Sequence, residues 1–116
     1  MSLVSRQIQF QQNVTKLFEY IQTQTDFKIT LGEAYRTIDQ QRIYIKQGRS
    51  KTMRSKHLQR LAIDLNFFYI DQNNKYQLTY DKQKLQHIGD FWESLAPQNQ
   101  WGGNWKSFKD VPHFQG

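Results

Sequence analysis

None of the 116 residues is cysteine, and that absence limits what the chain can fold into more than any other feature. No disulfide framework can brace a small domain, and no thiolate site can hold a structural zinc. At this length one apolar core must carry the fold, near the lower end of what a single core sustains, so residues 1–116 are expected to form one domain. Any metal would have to be held by nitrogen and oxygen, from His, Asp or Glu.

Sixteen Lys plus Arg against ten Asp plus Glu leave a net charge of +6, with a pI near 9.7. Such a balance favours approach to a polyanion: nucleic acid, anionic lipid or bacterial cell wall. Arg6, Gln7, Gln11, Gln12, Lys16 and Glu19 interrupt the apolar positions of the first twenty residues. No uninterrupted stretch for export or membrane insertion is found there, and synthesis in the cytoplasm is expected.

Phe10, Val14, Leu17, Phe18 and Ile21 form the apolar stripe of an amphipathic helix over residues 6–23. Phe27, Ile29 and Leu31 alternate as in a half-buried strand, which Gly32 ends or bends. Thr37 and Gln40 stand in capping-box spacing ahead of a helix from Ile38 to Gln47, with Gly48 placed for a left-handed C-terminal cap. Arg49 to Lys56 has no apolar residue except Met53 and reads as an exposed basic loop. A hairpin follows, from Leu61–Ile70 through the polar run at 71–75 to Tyr76–Tyr80. Leu85, Ile88, Trp92 and Leu95 repeat at helical steps after Asp81, a capping residue. Trp101-Gly-Gly-Asn-Trp105 reads as a rigid aromatic loop, and Phe108 to Phe114 as a last strand. This order predicts an α+β fold, a small antiparallel sheet packed with about three helices.

Two short segments carry the chemistry. Asp64 shares one face of a strand-like run with Asn66, while Ile63, Leu65 and Phe67 point the other way. A carboxylate there is costly unless paired or bound to a metal. His57, seven residues earlier, is expected in the loop entering the strand, where it can swing back towards Asp64. His113 is the candidate third ligand, its backbone restricted by Pro112. Two imidazoles and one carboxylate suit zinc with a fourth tetrahedral position left open. Asp110, three residues before His113, could take a proton from the attacking water and hand it to the leaving amine; an aspartate capping a turn is the plainer reading.

Ser55, His57, Ala62 and Asp64 in the pattern S-x-H-x-x-x-x-A-x-D, with Trp101-Gly-Gly-Asn-Trp105 and Asp110-Val-Pro-His113-Phe114, resemble the zinc peptidases that include D-Ala-D-Ala carboxypeptidases and phage L-alanyl-D-glutamate endopeptidases. The resemblance runs from about Phe10 to Gln115. It implies a hedgehog/DD-peptidase-like fold, a single zinc peptidase domain, Zn2+ on His57, Asp64 and His113, and Asp110 as catalytic base. It also implies that Arg36 polarises the scissile carbonyl, as a guanidinium beside a tetrahedral intermediate would. Ser55 falls where the family pattern meets substrate, and Gln41 where relatives often keep Gln; both are candidate substrate contacts, as is Trp105. Trp101 is expected in the core and His87 at the surface. One departure stands out: many members have Gly where this chain has Arg60, which bears on the backbone there and not on the ligands.

The leading expectation is therefore a monomeric zinc peptidase that cuts the stem peptide of peptidoglycan, most similar to an endolysin-type L-alanyl-D-glutamate endopeptidase that reaches the wall after release. A D-alanyl-D-alanine or L,D-carboxypeptidase is the alternative, and would need a site for a free terminal carboxylate; Arg49, Lys51 and Arg54 could serve either enzyme. A zinc-bearing binding module without turnover, as in hedgehog-type signalling domains, is opposed by the retained Asp110. A nucleic-acid partner is not expected, because no recognisable motif accompanies the basic loop.

Overall fold

The computed structural model describes residues Met1–Gly116. Helix α1 (Leu3–Gln24) starts earlier than its apolar stripe because Ser2 caps it, its hydroxyl accepting from the Ser5 N–H. Strand β1 (Lys28–Leu31) leads to α2 (Ile38–Lys46), where the Thr37 hydroxyl accepts from the Gln40 N–H. The end of α2 is a Schellman motif: Gly48 sits at φ 73°, its N–H bonds to the Ile45 carbonyl, and the Arg49 N–H bonds to that of Tyr44.

A 3₁₀ turn (Lys56–Gln59), with Ser55 as its cap, enters the long strand β2 (Ala62–Ile70). A tight turn, in which Asp71 accepts from the N–H groups of Asn73 and Lys75, joins β2 to β3 (Tyr76–Thr79). Asp81 then caps α3 (Lys82–Ser94) with two side-chain bonds. The Trp-Gly-Gly-Asn-Trp segment is more ordered than a loop: Gln100–Trp101 forms β4 and Gly102–Asn104 a 3₁₀ turn. The last strand, β5, is only His113–Gln115, not the whole of 108–114. Phe108 takes φ 54° and the His113 N–H closes a turn onto the Asp110 carbonyl, so the backbone ahead of β5 is bent.

All pairings are antiparallel, in the order β1-β2-β5-β4 with β3 also on β2. Phe67 and Phe68 pair with both β1 and β3, so these two strands flank β2. The fold is the α+β type with three α-helices and a small antiparallel sheet. Leu17 and Ile21 of α1, Ile63, Leu65 and Phe67 of β2, and Leu85, Ile88 and Trp92 of α3 bury one core with Trp101 and Phe114. Alternation on β2 sends Asp64 and Asn66 to the other face, where burial is only partial. That division makes one side of the sheet core and the other side cleft.

Arg60 stands at φ 58°, ψ 36°, in the left-handed region where glycine is cheapest. The backbone keeps that geometry with a long side chain, and the Arg60 guanidinium lies 4.0 Å from the centre of the Tyr35 ring.

Candidate metal centre and active-site cleft

Register decides the centre of the site. Asp64 of β2 faces His113 of β5 directly across the antiparallel pair, which puts both side chains on the same face at close range. His113 Nδ1 lies 3.2 Å from Asp64 Oδ1, and His57 Nε2, brought in by the 3₁₀ turn, is 3.2 Å from the same oxygen. One ligand atom from each of the three residues lies within 4.8 Å of the others.

The rings are oriented by what their other nitrogens meet. His57 Nδ1 is 3.1 Å from the Ala34 carbonyl and His113 Nε2 is 2.8 Å from Gln115 Oε1. Both partners are acceptors, so a ring that donates outward leaves its other nitrogen, beside Asp64, free to bind a cation. His57 Nε2 is buried with no hydrogen-bond partner, the neighbouring carboxylate being badly angled for one. An orphaned buried nitrogen costs about 1–3 kcal/mol. A divalent cation between the three side chains would remove that cost, and an N, N, O donor set whose imidazoles are held by acceptors suits zinc.

Electrostatics tie the same groups together. Burial pulls the Asp64 carboxyl upward, but the hydrogen bond to His113 and the close approach and charge of both imidazoles outweigh it and bring its pKa down to about 2. Burial works against protonation of His113, yet the bonds to Asp64 and Gln115 and the charges of Asp64 and Asp110 leave its pKa raised. The Asp110 carboxyl is pushed up, first by burial and then by the Asp64 charge, against the pull of His113, His57 and Arg36. Its Oδ2 lies 3.9 Å from His113 Nδ1, with the side chain still 46% exposed. A raised carboxyl open to solvent beside the centre is placed to exchange protons.

These groups line a cleft of about 760 Å³, together with Arg36, Ser55 and Trp105. Trp105 stands 5.1 Å from the His113 ring, centre to centre, and its indole N–H donates to Gln100. Trp101 is fully buried in the core instead, its indole N–H on the Val111 carbonyl, and His87 is exposed on α3.

Arg36 enters the cleft from the segment between β1 and α2. Its Nε donates to Glu33 Oε1 at 2.5 Å and its Nη2 pairs with the same carboxylate, while Nη1 reaches Gln41 Oε1 at 2.7 Å and Ser55 Oγ at 3.3 Å. Of its five donor hydrogens only one on Nη2 is left uncommitted. Ser55 thus binds Arg36 and caps the 3₁₀ turn while lining the cleft.

Gln41 needs correction as a substrate contact. It is fully buried and does not line the cleft. Its amide is spent on Arg36, Ser50 and the Thr52 carbonyl, so it fastens the basic loop to the arginine. Two further residues of the site, Glu33 and Gln115, lie outside the motifs that mark the others in the sequence. Gln115 was visible in principle, because a residue two along a strand shares the face of His113. Glu33 offered only an acid three residues before an arginine, a common spacing.

Residues 48–116 match the family described as D-alanyl-D-alanine carboxypeptidase. The chain belongs to that family of peptidases. The matched segment holds His57, Asp64, Asp110 and His113, while Arg36 and Gln41 lie before it. Among solved structures, the crystal structure of the Serratia marcescens L-Ala D-Glu endopeptidase ChiX is similar, with a TM-score of 0.67 and 24% identity over 89% of this chain and 77% of that one. That likeness shows the shared fold. No curated protein matches the chain.

Proposed function

We propose that this member of the family is a zinc-dependent peptidase that cleaves the stem peptide of bacterial peptidoglycan, as an L-alanyl-D-glutamate endopeptidase of endolysin type. The observation that carries the reading is the convergence of His57, Asp64 and His113 on one point of the cleft, with Asp110 beside it. The zinc ligands would be His57 Nε2, Asp64 Oδ1 and His113 Nδ1. Held there, zinc would supply Lewis acidity towards the scissile carbonyl and acidify a water to a nucleophile at neutral pH.

The chain's own residues do the rest. Asp110 takes the proton released as water adds to the carbonyl and passes it to the leaving nitrogen as the C–N bond breaks. Arg36, fixed by Glu33 and Gln41, turns its one uncommitted Nη2 hydrogen to the developing oxyanion; a donor held rigid beforehand loses no freedom when charge appears. Trp105 and Ser55 form walls of the groove in which the peptide lies. Synthesis in the cytoplasm, action on the wall after release, and function as a monomer belong to the same proposal, and the net charge of +6 suits a polyanionic wall.

The family description favours a second reading, a D-alanyl-D-alanine carboxypeptidase. Digestion of purified sacculi by the zinc-loaded protein separates the two. New N-terminal D-glutamate is expected; release of D-alanine alone would move the assignment to the carboxypeptidase. Intact sacculi with zinc present would refute both.

A further inference from the structure

The cleft carries more cations than the proposed reaction uses. Arg49, Lys51, Arg54, Lys56 and Lys109 line it besides Arg36, and of these cations only Arg36 has a carboxylate partner. Arg49 differs from the other four in how firmly it is placed. Its backbone N–H closes the Schellman motif on the Tyr44 carbonyl at 2.8 Å. Its guanidinium packs on the ring of that same Tyr44, 4.2 Å from the centre, in the place where such a motif usually carries an apolar contact. Arg36 packs on the same ring at 4.7 Å, and the Tyr44 hydroxyl donates to Glu33. Tyr44 therefore carries two guanidiniums into one cleft, one neutralised by Glu33 and one not. Lys51, by contrast, is drawn over the Phe108 ring.

We propose that Arg49 is a specificity-determining residue, binding a free carboxylate on the carbon that bears the departing nitrogen. This rests on the peptidase reading above. The two bonds under consideration share that chemistry. In a D-alanyl-D-alanine terminus the departing amine belongs to a D-alanine whose carboxylate is free. In the stem peptide D-glutamate continues the chain through its γ-carboxyl, so its α-carboxylate is free beside the nitrogen that leaves. Either way the leaving residue presents one carboxylate at a fixed distance from the scissile amide, and a guanidinium already held on a ring loses little freedom in forming a forked contact with it. Amidation of that carboxylate removes the charge and one acceptor.

The test uses two matched pairs of synthetic peptides, free acid and carboxamide at that carbon, one pair with the L-Ala–D-Glu bond and one ending in D-Ala-D-Ala. Wild-type protein loaded with zinc is expected to prefer the acid by about tenfold in kcat/KM, carried by KM. Arg49→Gln should bring the ratio near one with zinc content and melting temperature unchanged, and Arg49→Lys should keep part of the preference. The pair that is cut identifies the source of the carboxylate. Equal cleavage of acid and amide by the wild type, or an undiminished preference in Arg49→Gln, overturns the role of Arg49 and leaves the peptidase reading standing. Failure to cut any of the four peptides overturns that reading and the role of Arg49 together.

Discussion

Asp110 and Gln115 flank His113 in sequence but act on it in different ways, and substitution should tell them apart. Asp110 faces the cleft and makes no contact with the outer nitrogen of the ring. Asp110→Asn is expected to lower kcat by about 10²–10⁴-fold while zinc still binds, since proton transfer of this kind contributes that much; full activity of the zinc-loaded variant would remove Asp110 from the mechanism. Gln115 holds the His113 ring through Nε2. Gln115→Leu should weaken zinc about 10–100-fold, as loss of an orienting partner does, and Gln115→Glu should restore it. Competition titration against a chelating dye reads this directly, and unchanged affinity in the leucine variant would show that the ring needs no such partner.

Among the elements, α3 and the β4 segment meet through a pair of glycines. A Cβ on Gly89 or on Gly103 would run into the indole of Trp101, which is fully buried. Gly89 lies in the interior of α3, where alanine would normally gain about 1 kcal/mol in helix propensity. Overpacking a rigid core side chain costs about 1–3 kcal/mol, so the clash decides the sign. Gly89→Ala is expected to lower the melting temperature and Gly48→Ala to lower it through backbone strain at φ 73°. A thermal melt in which Gly89→Ala gained stability would mean that Trp101 is free to shift. The same contact seats Trp101 in the core, while Trp105, four residues on, lines the cleft.

For the whole molecule, the His57–Asp64–His113 cluster joins β2, β5 and the 3₁₀ turn before β2, so its charge state affects the stability of the entire fold. After chelation, Asp64, His113 and Asp110 should shape stability against pH. Asp64 has a folded pKa of about 2 against 3.8 unperturbed; its contribution is present above 3.8 and lost as pH falls towards 2. His113 is raised above 6.5; its contribution is complete below 6.5 and lost as pH rises through the raised value. The raised Asp110 carboxyl acts in the same sense as His113, its contribution complete below 3.8 and lost as pH rises through its raised value. Melting temperatures of chelated protein should therefore fall on the acid side as Asp64 is protonated and fall again as pH rises above 6.5. Saturating zinc should remove the alkaline decline, because the cation replaces the proton between His113 and Asp64. A flat alkaline limb without zinc would show that His113 is not so coupled. Much of this fold is legible in the chain itself. The helical stripe of α1, the caps Thr37 and Asp81, the left-handed Gly48 and the alternation of β2 are local signals, set by backbone geometry and side-chain period within a few residues. The face of Asp64 followed from that alternation. What sequence could not supply was the pairing of β5 with β2 at Asp64↔His113, the spending of the Gln41 amide on Arg36 and the basic loop, and the meeting of Arg36 and Arg49 on Tyr44. Each joins segments through space, and only the burial of one shared core brings them to the same point.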